Sequence, residues 1–492
     1  MLLLGIDVGT SSIKVSVINA VTQQSVASAR YPETESGITS LQAGWAEQSP
    51  EMWWQHVQQA IRMAHASGKY DPRQIAAIGI GYQMHGLVLV DKEQKVLRNS
   101  IIWCDSRAVP LGNRAFQAIG KERCLSHLLN SPGNFTASKL AWVKENEPAV
   151  YEKIHQVLLP GDFISMKFTR QTSTTVSALS EGIFWDFAQH GLSDDIFRYY
   201  GFDRSLIPEI KKVFEPHGLL QADIAASLSL QAGIPVAYKA GDQLNNALSL
   251  NVLQPGEIAA TAGTSGVIYS VSDTLAYDQQ SRVNTFAHVN YTTEQQRLGT
   301  LLCINGTGIL NNWVRNITGA QLSYAQMNEA AATVAPGSDG LQVLPFGNGA
   351  ERMLNNATIG AHLLNIDLNK HSAAHIYRAA QEGIAFSFRY GLDIMRENGL
   401  QPAVIRAGRA NLFLSDVFSA AFVNVTGVPV ELYACDGSVG AALGAGIGAG
   451  IYNSEKEAFV NMEKLKVVEP SDTQRYDALY QDWKSLLEEK IK

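Results

Sequence analysis

The chain opens on two short apolar runs, Leu2–Asp7 and Ile13–Ile18, either side of the polar turn Gly9-Thr10-Ser11-Ser12. Runs of this length broken by a Gly-containing turn predict a β-hairpin. The pattern returns, weaker, at Gly256–Val271, where Gly263-Thr264-Ser265-Gly266 is the turn. A repeated hairpin predicts two related halves with a shared ligand between them. An amphipathic helix is expected over Met52–Ala66, started by Ser49 as N-cap, Pro50 at the first helical position and Glu51 in the first turn. Ile75–Ile80 reads as a buried strand running into Gly81-Tyr82-Gln83-Met84-His85-Gly86, and Leu87–Asp91 as its hairpin partner. Ile101–Trp103 reads as a further strand, ending in Cys104-Asp105-Ser106-Arg107.

Pro110–Tyr200 reads as mostly helical, including Phe135–Asn146, with the Ser/Thr-rich stretch Thr172–Ser180 as a loop over a cleft or a solvated turn. Ile234–Ala240 is a strand that ends in Gly241-Asp242-Gln243 and runs into a small-residue helix. In the second half, Cys303–Val314 carries a Gly-Thr-Gly turn that opens a helix, and His375–Glu397 is a long helix with an apolar stripe. Val404–Arg406 leads into the strand-to-helix turn Ala407-Gly408-Arg409-Ala410-Asn411. The small residues of Asp436–Gly446 permit close backbone approach, with tight helix packing the favoured role for most of its glycines. Asn453–Lys492 reads as a polar surface element.

At 492 residues the chain exceeds one ordinary core, and the expected division is 1–248 and 249–492. The formal charge of −7, from 39 basic and 46 acidic residues without a Lys/Arg run, argues against a nucleic-acid partner. Cys104, Cys124, Cys303 and Cys435 show neither a CxxC nor a His/Cys cluster, which favours reduced thiols over a disulfide framework or a zinc site. No basic leader precedes the first apolar run and no run is long enough to span a membrane, so a cytoplasmic protein without membrane contact is expected. A homodimer is compatible with this composition, which selects no oligomeric state.

The first hairpin suits a phosphate, because free backbone N–H groups in a small-residue turn form an anion nest. An acid there, Asp7, would repel phosphate directly and is best used to hold a bridging cation. Two successive strands ending in clusters of hydrogen-bonding side chains suit a polyol. A lone His85 would read as a satisfied core histidine; beside Gln83, Asp105 and Arg107, the ligand reading moves ahead. For Asp105 and Arg107, a surface ion pair fits the spacing equally well. Asp242 alone reads as a helix cap, but its place just before the second hairpin puts it at the junction of the halves, at the carboxyl edge of a sheet.

Taken together, DVGTSSIK, WAEQSP, GYQMHG, WCDSR, AGDQ before GTSG, and RAAQEGIAF resemble the carbohydrate kinases of the FGGY family, in the actin-like ATPase superfamily, from Gly5 to Gly446. Gln83-Met84-His85-Gly86 with Trp103, Asp105 and Arg107 look most like the members that act on xylulose. The resemblance implies an α/β fold of two actin-like (ribonuclease H-like) domains, each a mixed sheet flanked by helices, with the active site in the cleft between them. It implies ATP-dependent phosphorylation of a sugar, D-xylulose to its 5-phosphate first; ribulose, another ketose, gluconate or glycerol are the sibling substrates, and a non-catalytic actin-like sugar sensor is the alternative class. By the same resemblance Asp242 is the catalytic base, and Gln83, Met84, His85, Asp105 and Gln243 contact the sugar. Asp7 holds Mg²⁺, while Thr10, Ser11, Ser12, Gly263, Thr264, Ser265, Trp313, Gly408 and Asn411 border ATP. Five positions depart from the usual family pattern: Ala407 where a glycine is common, Met353-Leu354 in place of Thr-Pro, Gln243 in place of Asn, and Asn134.

Overall fold

The computed structural model describes the whole chain except residues 320 and 435, so Cys435 lies outside the described residues. The first hairpin forms as β1 (Leu2–Val8) and β2 (Ile13–Asn19), paired antiparallel with Val8 opposite Ile13. With β3 (Ser25–Tyr31), β4 (Ile75–Tyr82) and β5 (Val236–Gly241) it makes a five-stranded sheet of order β5-β4-β1-β2-β3. β4 runs parallel to β1 and to β5, whereas the β1-β2-β3 meander is antiparallel.

The second sheet contains β6 (Glu257–Ala262), β7 (Gly266–Ser272), β8 (Asn284–Ala287), β9 (Leu298–Ile304), β10 (Val404–Gly408), β11 (Val430–Tyr433) and β12 (Lys464–Val468), in the order β8-β9-β7-β6-β10-β11-β12. Its inner five strands repeat the first sheet: an antiparallel meander β6-β7-β9, then β10 parallel to β6 and β11 parallel to β10. Each half also has its own hydrophobic cluster: residues of β1, β2 and β4 in the first, and residues of β6, β10 and the long helix Ala373–Glu397 in the second.

Five helices matter for the site. Thr136–Asn146 is α1, Val176–Glu181 is α2, Asp242–Ser249 is α3, Gly308–Gly319 is α4 and Gly437–Gly448 is α5. Helix α3 leaves the first sheet and packs on β6 and β7 of the second; α5 leaves the second and packs on β1, β2, β4 and β5 of the first. The two helices also pack on each other. This exchange brings the carboxyl ends of β1, β4 and β5 against the halves' boundary. Close approach explains the glycines: a Cβ on Gly79 of β4 would stand 1.9 Å from the carbonyl oxygen of Ala441. Most glycines of α5 thus serve packing, as their sequence context suggests.

Some expectations need correcting. Thr172–Ser180 is no loop: Ser173–Thr175 is a strand and α2 follows, almost entirely buried. Its small side chains fit a tight interior, where Thr175 caps α2 by accepting from Ala178 N–H. The strand Val88–Val90 pairs with Gln156–Leu158 rather than with β4. The C-terminal region includes β12 and the helix Thr473–Ile491, which buries Tyr476, Tyr480, Trp483 and Leu487 in the second core.

Candidate active site

Asp7 near the end of β1 is close enough to Asp242, just after β5, for its charge to act on that carboxyl. Burial raises Asp242 to about 7, and the negative Asp7 adds to that shift; hydrogen bonds from Gln243 oppose it. Burial also raises Asp7 to about 6, with Lys14 opposing and Asp436 reinforcing the rise. Lys14 itself pairs with Asp436 at 3.5 Å. Among the described residues Asp7 has no ion pair, and no group of three or more His, Cys, Asp or Glu gathers around a metal position. A half-buried acid without a counter-ion fits Mg²⁺, which keeps most of its water and is typically held by one or two carboxylates plus substrate phosphates.

Beside Asp242 lies the turn of residues 83–86. The Met84 side chain abuts Gly241, its Cγ 2.6 Å from where a Cβ would stand. His85 has φ +61° and sits edge-on to Phe135, with Phe286 of β8 as a second aromatic neighbour. Its Nδ1 lies 3.0 Å from the carbonyl oxygen of Glu181. Only a protonated nitrogen can donate there, so Nδ1 carries the hydrogen. Burial, aided by the positive Lys139, lowers His85 to about 3, so the ring is neutral and Nε2 is left as an acceptor for a hydroxyl. Lys139 of α1 is fully buried and donates to the His85 carbonyl at 2.8 Å; burial brings it down to about 7.

The first hairpin is tied to this turn. Thr10 Oγ1 donates to Gln83 Oε1 at 3.0 Å and accepts from the Trp103 indole at 3.0 Å, while Gln48 Nε2 donates to the Thr10 carbonyl at 2.9 Å. The Thr10 hydroxyl is therefore committed to this bridge. Ser11 is exposed and Ser12 half-buried on the same turn, whose Gly9 N–H bonds the Ser12 carbonyl at 3.2 Å. Asp105 does pair with Arg107, at 2.7 Å, but not at the surface: it is fully buried and also accepts from Ala46 N–H at 2.6 Å. Arg107 in turn meets Glu47 at 2.7 Å and stacks over Trp45 at 3.8 Å. This network supports the wall behind the turn of residues 83–86, and Asn134 joins it by donating to the Asp105 carbonyl.

Across the boundary, the second hairpin meets the start of α4. Gly308 N–H donates to the Gly263 carbonyl at 2.8 Å and Ile309 N–H to Thr264 at 3.1 Å. Gly308 has no room for a side chain, since a Cβ would lie 2.3 Å from the Gly263 oxygen. An adjoining cavity of about 510 Å³ is lined by Gly263, Thr264, Asn311, Asn312, Tyr324, Asn328, Asn411 and Leu414, among others. Ser265, Gly408 and Trp313 lie outside that lining, and Trp313 is 47% exposed. Asn311 and Asn312 are two positions and one position before Trp313, and each step along a helix turns the side chain by ~100°. Sequence reading places Trp313 of α4 at the nucleotide, whereas the α4 residues that line this cavity include Asn311 and Asn312 and not Trp313. It also passed over Lys139 and Glu181, whose roles come from contacts distant in the chain.

Both sequence and geometry can now be compared with known proteins. The family model described as the FGGY family of carbohydrate kinases, N-terminal domain, matches residues 2–249, and its C-terminal counterpart matches residues 258–451. The chain belongs to the FGGY family of carbohydrate kinases. It is 28% identical over 481 residues to the xylulose kinase of Escherichia coli, covering 96% of both chains. The crystal structure of xylulose kinase from Rhodospirillum rubrum superposes with a TM-score of 0.87 at 25% identity, covering 99% of both chains. Gluconate kinase from Lactobacillus acidophilus also reaches 0.87, at 20% identity and 100% and 98% coverage, so backbone shape alone does not select a sugar. Membership makes this chain an ATP-dependent sugar kinase with a two-domain α/β fold of the actin-like kind. No helix among the described residues is long and apolar enough to cross a membrane.

Proposed function

We propose that this kinase phosphorylates a ketopentose, D-xylulose first, at its terminal hydroxyl, with residues 1–248 carrying the sugar face and 249–492 the nucleotide pocket. The observation that carries this reading is the meeting of Asp242 with the Met84–His85 turn at the mouth of β5. Phosphoryl transfer asks little covalent chemistry of a protein; alignment and charge stabilisation do most of the work. Asp242, raised to about 7, takes or orients the proton of the attacking hydroxyl. His85 Nε2 accepts from a second hydroxyl, while Gln83 and Gln243 extend the polar face. Backbone amides of the two hairpins receive the phosphates, and the Asn311–Asn411 cavity takes the base and ribose. Mg²⁺, when bound, neutralises charge on the phosphates; Asp7 is the residue to hold it. The thiols of Cys104, Cys124 and Cys303 are unpaired, which fits a cytoplasmic setting.

A panel of xylulose, ribulose, gluconate and glycerol with coupled ADP detection tests the assignment. D-Xylulose is expected to give the highest kcat/KM; a clear preference for one of the others reassigns the sugar, and ADP release indifferent to sugar removes the kinase mechanism. A second expectation concerns the metal: Asp7→Ala should raise the requirement for Mg-ATP at least tenfold while sugar affinity stays near wild type, because the carboxylate faces the phosphate side. Calorimetry showing that sugar binding collapses instead would take Asp7 out of the metal role.

A further inference from the structure

Glu181 ends α2 and is 1% exposed, yet neither carboxyl oxygen has a well-formed hydrogen bond, although the Tyr82 hydroxyl lies against it. A buried polar group in that condition calls for an explanation. The residue touches both parts of the site. Its backbone carbonyl receives His85 Nδ1–H at 3.0 Å. Its Oε2 stands 2.7 Å from where a Cβ on Gly241 would be, beside the Met84 side chain and one residue before Asp242. Helix α2 is itself anchored to the other half: Ser180 Oγ accepts from Ala287 N–H at 2.9 Å, and Ser177 Oγ donates to the His288 carbonyl at 3.1 Å.

We propose that Glu181 is a positioning residue for phosphoryl transfer, holding the turn that carries Met84 and His85 and the strand end that carries Asp242 in one fixed relation. This inference rests on the kinase reading given above. The charged and titratable groups facing the carboxyl are Tyr82 from β4, Asp242 from α3, Lys139 from α1, Asp162 from the helix Pro160–Thr169 and Tyr269 from β7. Asp162 is already paired with Lys239 at 2.7 Å, and the Lys139 ammonium bonds the His85 carbonyl. Burial first, then the two neighbouring acids, hold the Glu181 carboxyl well above the ordinary range, against Tyr82 and Lys139. Burial thus favours the uncharged form of the acid, which fills the space behind Gly241 without placing another negative charge beside the base.

Glu181→Ala and Glu181→Gln separate these roles. The alanine variant removes the carboxyl wedged beside Gly241 and Met84 while keeping the carbonyl that receives His85, and should lose about 10- to 100-fold in kcat/KM for sugar while the KM for ATP stays within about twofold, the scale expected for a displaced reacting group. Glutamine keeps the volume and the neutrality, so it should restore sugar kcat/KM to within about threefold of wild type with the pH midpoint unmoved. Wild-type sugar kinetics in the alanine variant would overturn the proposal; so would a glutamine variant as damaged as alanine, or one whose midpoint shifts downward, since that would mean a charge had been removed. Two measurements do not need turnover or the alanine protein. Infrared spectra at neutral pH should show the C=O stretch of a protonated buried carboxyl that Glu181→Gln removes, and ¹⁵N NMR should find His85 protonated at Nδ1 in the wild type. A missing stretch or the opposite tautomer contradicts the positioning role even where no sugar on the panel is phosphorylated.

Discussion

Asp242→Asn is expected to lower kcat about 10³-fold while sugar affinity stays within about threefold of wild type, the usual scale for loss of a positioned general base. The amide keeps the shape of the carboxylate at the start of α3 and loses only its capacity to accept a proton. The pH profile of the wild type should agree. Asp242 works ionised and its acid form persists to about 7, so kcat/KM for sugar falls as pH drops through that value, by a factor approaching ten per unit below it. The same shift has a consequence for stability. An acid whose folded-state value is raised contributes stability below its unfolded value, near ~4, and that contribution is lost as pH rises toward the folded value. At neutral pH the ionised Asp242 is thus a cost, and Asp242→Asn should stabilise the fold by on the order of 1–2 kcal/mol once solvent screening in the open cleft is allowed for. A variant that is less active and more heat-stable is the signature; full activity or lowered Tm would count against the base assignment.

Gly79→Val should damage the molecule without touching any reacting group. Gly79 sits in mid-β4, where a Cβ would stand 1.9 Å from the Ala441 carbonyl and 3.1 Å from the Ala445 side chain of α5. Backbone cannot yield as a flexible side chain does, so α5 must lift from the sheet. Overpacking of this kind costs about 3 kcal/mol, and the Tm should fall by on the order of 5–10 °C. Activity should fall with it, because Asp7 and Gly437 at the start of α5 are neighbours: a Cβ on Gly437 would stand 2.7 Å from Asp7 Oδ2, and Asn245 Nδ2 of α3 donates to the Gly437 carbonyl at 2.8 Å. Thermal melts of the purified variant check this. An unchanged Tm would mean that the close approach of α5 to the sheet does not persist in solution.

The features readable from sequence are those whose information is local. The two hairpins announce themselves through short apolar runs and polar turns, and Ser49-Pro50-Glu51 starts its helix as written, with Ser49 accepting from Met52 N–H. The repeat of the hairpin foretells the repeated strand order. The exchange of α3 and α5 between the sheets is long-range packing, visible beforehand only as an excess of small residues. Asp105 and Arg107 supported two readings at the same spacing, and only the position of Ala46 N–H and Glu47, far back in the chain, makes the pair structural. Tyr476, Tyr480, Trp483 and Leu487 do follow a helical stripe, but charged neighbours dilute it until a core is there to receive it. Glu181 is the extreme case: a lone acid in a Ser/Thr-rich stretch gives no sign that the fold will bury it against Gly241.

The account is tested most directly by measuring ADP release from Mg-ATP by wild type and Asp242→Asn side by side, with and without D-xylulose. It predicts release that depends on the sugar in the wild type, and loss of that release in a variant that still binds the sugar. Release that ignores the sugar, or a variant that turns over at the wild-type rate, would contradict it.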